Sequence, residues 1–185
     1  MINKIVIWSS KQLNLTDKEI ITFKYGFALL LNMLINFLLV ILIGILWGYF
    51  FESILFFISY VFIKRDTGGY HAKSHFSCIS QFNFVFFILI AYYHFVIITE
   101  LFMYVICIIT IITTFLFAPI VSPQKHIPTK EIILHKYRSR IKIIFLCGFW
   151  YLGNTMFHNT YTDFVFLGIF MLWVTLLLGV IEQNF

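Results

Sequence analysis

The sequence predicts an all-α, polytopic integral membrane protein, a single domain over residues 1 to 185 with about six hydrophobic segments. Three observations predict it. Of the residues, 61% are hydrophobic and 11% charged, whereas a soluble domain carries about 25% charged residues. The apolar residues are gathered into runs approaching the roughly 20 residues that cross a bilayer core, so lipid must act as their solvent. The Lys and Arg residues are confined to alternate connections, which is the bias of cytoplasmic loops. The net charge of +5 is therefore a topology signal before it is a nucleic-acid footprint; membrane lipid is an expected partner and nucleic acid is not.

Residues 1–25 carry Lys4, Lys11, Lys18 and Lys24 among scattered apolar residues such as Ile2, Ile5, Val6 and Trp8, a mixture suited to an interfacial segment. The run Ile5 to Trp8 is too short for the apolar region of a cleaved signal. Thr16-Asp17-Lys18-Glu19 is a capping-box pattern, so a helix is expected to start there and run toward the first span. From Phe27 to Ile63 the chain is almost continuously apolar, long enough for two crossings with a turn near Gly48 to Glu52. The second, from about Phe50 to Ile63, is short and could be re-entrant. If it did not cross, the four early lysines and Lys64, Arg65 and Lys73 would lie on opposite faces, against the charge bias.

A third span is expected over about Ile79 to Ile98 and a fourth from Leu101 to Val121, followed by a basic polar loop over 122–142. Two more follow near Ile143 to Phe157 and Phe164 to Ile181. Six crossings place both termini and all 13 Lys and Arg residues on one side, the cytoplasm, and leave Glu52, Glu100 and Asp163 in the opposite turns. Within the first span, Asn32 and Asn36 lie four apart on one face, an arrangement suited to inter-helix hydrogen bonding or to a substrate groove. Three cysteines, an odd number, argue against a disulfide framework.

The chemistry is concentrated in residues 64–78, Lys-Arg-Asp-Thr-Gly-Gly-Tyr-His-Ala-Lys-Ser-His-Phe-Ser-Cys, on the expected cytoplasmic face. Cys78, His71 and His75, the Gly68-Gly69 pair and the surrounding cations are the parts of a cysteine nucleophile with a histidine base. Lys73, Arg65 or a protonated His71 would raise the thiolate fraction of a thiol whose ordinary pKa is about 8.5. In one straight helix His71 and Cys78 would share a face but stand about 10.5 Å apart along the axis, too far for a hydrogen bond, so a break in regular helix is expected between Ala72 and Ser77. Backbone N–H groups near Cys78, or Ser74, Ser77 and Gln81, are candidate oxyanion donors, and Asp66 is the nearest carboxylate that could orient the histidine.

The run Lys-Arg-x-x-Gly-Gly-x-His-Ala-Lys-Ser-x-x-x-Cys, from Lys64 to Cys78, resembles the signature of the accessory gene regulator B family. The likeness extends to the layout, with the motif after the second hydrophobic segment and a basic, Pro-containing loop after Ala118-Pro119. The resemblance implies a bacterial membrane endopeptidase, acting as a homodimer, that processes the precursor of a cyclic quorum-sensing peptide. It implies a nucleophile at Cys78 and a base at His71, with Gly69 and the basic pair Lys64 and Arg65 in supporting places beside Gly68 and Ser74. The family cysteine forms an acyl-enzyme on the N-terminal part of the precursor, and an internal Cys or Ser of the peptide then closes a thiolactone or lactone.

Lys136, Arg138 and Arg140 are candidates for holding an acidic part of the precursor, or equally a lipid-headgroup and topology feature. No cofactor is expected. His71, His75 and Cys78 also spell His-x3-His-x2-Cys, which on a helix aligns three soft ligands, so a zinc-dependent peptidase is one alternative, though a fourth ligand is not evident. A small transporter is another, and it would want ionisable groups buried within the spans, where this sequence has few. A scaffold without chemistry is a third.

Overall fold

The computed structural model describes residues 16–70, 75–120, 129–157 and 159–184. Among these, the chain forms six helices: α1 (Asp17–Trp47), α2 (Phe50–Thr67), α3 (His75–Phe95), α4 (Glu100–Phe117), α5 (Thr129–Phe157) and α6 (Thr160–Asn184). Four stretches are long and apolar enough to cross a membrane: Glu19–Trp47, Phe76–Phe95, Glu100–Phe117 and Thr160–Glu182. The other two helices, α2 and α5, carry Lys64, Arg65 and Asp66 or Arg138, Arg140 and Lys142 within their length.

The capping box at the start of α1 forms. The Thr16 N–H donates to the Glu19 carboxylate at 2.8 Å and the Thr16 hydroxyl to the same oxygen at 2.7 Å, so the orphan donors of the helix start are partnered. From there α1 runs unbroken to Trp47, and residues 17–25 are its first turns; residues 1–15 of the expected interfacial segment lie outside the described residues. The segment expected to be short, α2, is an 18-residue helix at the centre of the bundle, about 27 Å long at 1.5 Å per residue. Its small buried side chains let neighbours approach closely. Ser53 lies where a Cβ on Gly44 of α1 would stand, and Ser59 where one on Gly168 of α6 would stand. Close packing at small residues is how helices associate where lipid already satisfies apolar surface.

The loop expected over 122–142 is corrected from Thr129 onward, where the chain is helical without a break to Phe157; residues 122–128 lie outside the described residues. No Gly or Pro follows Pro128 until Gly148, Glu131 favours the N-terminal turn, and Lys and Arg are good helix formers, so polarity alone did not make this stretch a loop.

Contacts between the helices define two ends. At one, Thr160 donates to Glu52 at 3.0 Å and Tyr93 to Asp163 at 2.8 Å. At the other, Lys142 reaches Asp66 and the 118–120 segment meets Gly68. Glu52 and Asp163 thus stand at the first end, whereas Lys142, with Asp66, stands at the second. Between them, Asn83 of α3 donates to Asn36 of α1 at 2.7 Å, so Asn36 serves as inter-helix glue. The core between the ends is aromatic, with Phe56, Phe86, Trp150, Phe164 and Phe166 nearly fully buried.

Candidate functional site

The helix α2 stops at Thr67 because Gly68 and Gly69 follow with φ of +66° and +109°, values that side chains beyond glycine rarely adopt. Space demands glycine there as much as conformation does. A Cβ on Gly68 would overlap the Ile120 carbonyl oxygen, and one on Gly69 would come 2.8 Å from both Lys64 Nζ and the Thr175 carbonyl oxygen. The extended segment they create is pinned on two sides. The Ile120 N–H donates to the Thr67 carbonyl at 2.9 Å, making a parallel bridge just after a cis Ala118–Pro119 bond. The Tyr70 N–H donates to the Thr175 carbonyl of α6 at 2.9 Å, and Gly179 lets the backbone of Gly69 and Tyr70 lie against that helix. Ala118, Ile120 and Leu176 bury one another beneath it.

Cys78 is the fourth residue of α3, a free and half-buried thiol in the first turn, where the helix dipole favours negative charge. Among the described residues, Lys64 is the cation within electrostatic reach of it. The Lys64 Nζ is shut away from solvent with no hydrogen-bond partner among the described residues, and it lies 5.9 Å from the centre of the Tyr60 ring. Burial pushes its ammonium down to about 8, against the attraction of the Cys78 thiolate. A shielded cation lacking a partner is the kind of group that a thiolate or a developing oxyanion would satisfy.

Lys64 and Arg65 are neighbours in sequence but a helix turns about 100° per residue, and the two diverge. Lys64 belongs with Cys78, while the exposed Arg65 lines a crevice with Asp66, Arg138, Ile141 and Lys142. Asp66 is 3% exposed, and both its oxygens are engaged by α5, Oδ1 with His135 Nδ1 at 2.7 Å and Oδ2 with Lys142 Nζ at 2.5 Å. Burial pushes its carboxyl up, but the hydrogen bonds from Lys142 and His135 outweigh this and hold it below its ordinary value. Lys142 also donates to the Phe62 carbonyl at 2.9 Å, so this group locks α2 to α5.

Arg140 donates to the Phe115 carbonyl at 2.9 Å, partnering the C-terminal turn of α4. Lys136 and Arg138 are exposed. His71, Lys73 and Ser74 lie outside the described residues, as does the side chain of His75, so the expected dyad and the alternative zinc ligands both fall partly there. Of the helix break expected between Ala72 and Ser77, the described part, 75–77, is helical and opens α3. No cluster of three or more His, Cys, Asp or Glu able to hold a metal occurs among the described residues. Sequence reasoning missed His135, Thr175 and Ile120; each approaches the motif from 50 or more residues away, with no local signal to announce it.

These features define an all-helical membrane protein whose cationic end sets a half-buried thiol within electrostatic reach of a shielded ammonium. The chain belongs to the accessory gene regulator B family, whose model matches residues 2–178. It is 25% identical over 177 residues to the accessory gene regulator protein B of Staphylococcus aureus strain bovine RF122 / ET3-1, covering 95% of this chain and 92% of that one. It is 26% identical over 172 residues to the protein of the same name from Staphylococcus carnosus strain TM300, covering 91% and 88%. No solved structure matches the chain.

Proposed function

We propose that the chain is a multi-pass membrane cysteine endopeptidase that processes a quorum-sensing propeptide at the cytoplasmic face, with Cys78 as nucleophile and His71 as base. One observation supports this most: Cys78 stands in the first turn of α3 within electrostatic reach of the shielded Lys64 ammonium. His71 takes the thiol proton, and the thiolate adds to the scissile carbonyl of the precursor. The Lys64 ammonium offsets the negative charge as it moves from sulfur to oxygen. The tetrahedral intermediate collapses by breaking the C–N bond, and the leaving amine takes the proton back from His71. The N-terminal part of the precursor remains as a thioester on Cys78. An internal Cys or Ser of that peptide then gives its proton to His71 and attacks the thioester, closing a thiolactone or lactone as the bond to the Cys78 sulfur breaks, and His71 returns the proton to the Cys78 thiolate. A thioester retains much of the peptide-bond energy, so ring closure competes with hydrolysis where water is scarce. A homodimer, implied by the family resemblance, is the working form.

The test is processing of the precursor in cells that co-express it with native protein, Cys78→Ala or His71→Gln. Both variants should accumulate in the membrane at the native level and leave the precursor uncut. Cut precursor with Cys78→Ala would overturn the reading.

A further inference from the structure

The crevice between α2 and α5, about 300 Å³ and lined by Arg65, Asp66, Arg138, Ile141 and Lys142, is separate in chemistry from the thiol site. Its charges do not cancel. Asp66 is already shared by Lys142 and His135, whereas Arg65 and Arg138 are exposed and have no hydrogen bond or ion pair among the described residues. Two guanidinium groups on facing helices, without partners among the described residues, suit a phosphate, whose oxygens accept their paired N–H donors.

What adjoins the crevice narrows the ligand further. Ile141, in its wall, is 51% exposed, and beside it Phe62 and Phe145 pack with ring centres 6.4 Å apart while remaining 41% and 62% exposed. A cationic mouth at the polar end thus opens onto a partly exposed apolar track along the same pair of helices toward the bilayer interior, with the Lys142 ammonium over the Phe62 ring at 4.7 Å where the two meet. A free anion or a soluble acidic peptide uses the mouth only. A phospholipid uses both.

We propose that this crevice binds one anionic phospholipid, with its phosphate between Arg65 and Arg138 and an acyl chain along Ile141, Phe62 and Phe145. The bound lipid bridges α2, which carries Lys64, to α5, and so braces the helix on which the thiol site rests. Basic pockets between helices at a membrane surface hold lipid headgroups in this way.

The test is native mass spectrometry of the full chain in non-ionic detergent, titrated with dioleoylphosphatidylglycerol or dioleoylphosphatidylcholine. Native protein should retain one phosphatidylglycerol in preference to phosphatidylcholine. Arg65→Gln/Arg138→Gln should weaken that binding on the order of 10-fold or more, near 5-fold for each arginine. Lys130→Gln/Lys136→Gln, with the same loss of charge outside the crevice, should weaken it less than 2-fold, as expected for exposed charges away from the ligand. Phe145→Ala should weaken phosphatidylglycerol binding while leaving the arginines intact, and the single Arg65→Gln variant serves if the double one does not fold. Equal losses in the two charge-matched double variants would overturn the proposal, since attraction would then be unspecific. Displacement of the lipid by millimolar inorganic phosphate, or by an equimolar glutamate-rich peptide, would also overturn it by assigning the mouth to a soluble anion.

Discussion

Replacing Gly68 by alanine tests the architecture of the motif at its tightest point. Its φ of +66° and ψ of −132° lie where a side chain costs about 1–3 kcal/mol. The new Cβ would also overlap the Ile120 carbonyl oxygen, so the 118–120 segment must retreat. That retreat takes with it the Ile120 N–H to Thr67 carbonyl bond, about 1 kcal/mol more. The sum is about 2–4 kcal/mol, or a fall of about 4–16 °C in unfolding temperature at about 2–4 °C per kcal/mol for a chain of this size. Gly148, within α5, is the control, because a Cβ there meets nothing within 4 Å. Alanine at Gly148 should be neutral or stabilise by up to about 1 kcal/mol. Thermal unfolding in detergent, followed by circular dichroism, measures both. If Gly68→Ala unfolds together with Gly148→Ala, the pinned segment is not what holds the end of α2.

Three other outcomes follow from the same geometry. Asp66→Asn should destabilise by about 2–3 kcal/mol, less than the full cost of breaking a buried pair because Lys142 keeps its bond to the Phe62 carbonyl; an unchanged unfolding temperature would contradict the lock between α2 and α5. The Asp66 carboxyl is held below its ordinary value, so its contribution is complete above about pH 4 and fades as pH falls further. Native protein should therefore lose stability below that pH more steeply than Asp66→Asn, and parallel profiles would contradict the assignment. Lys64→Gln removes a cation within electrostatic reach of the thiol and should slow alkylation of Cys78 by iodoacetamide several-fold at neutral pH, read as mass added at that residue, while Lys130→Gln should not.

Much of the fold was legible because each hydrophobic run was interrupted by the residues that end helices. Gly48 in a left-handed conformation closes α1, and Gly68 closes α2. The Thr16–Glu19 box was legible from four residues of local pattern. The start of α5 was not, because Lys130 to Lys142 reads equally as a polar loop and as a charged helical extension, and only packing against Asp66 and Phe115 decides between them. The thiol and double glycine stood out at once, but the reason for two glycines did not. Gly68 answers to Ile120 and Gly69 to Thr175, contacts between segments far apart in the chain. The same distance hid which cation serves the thiol, since Lys64 and Arg65 differ only in the face of α2 from which they leave.

The most direct test of the central claim is the intact mass of the full chain purified after co-expression with its propeptide. A hydroxylamine-labile adduct on Cys78 with the mass of the N-terminal part of the precursor is expected, absent from Cys78→Ala. Processing of the precursor by Cys78→Ala, or an adduct seated on another residue, would contradict it.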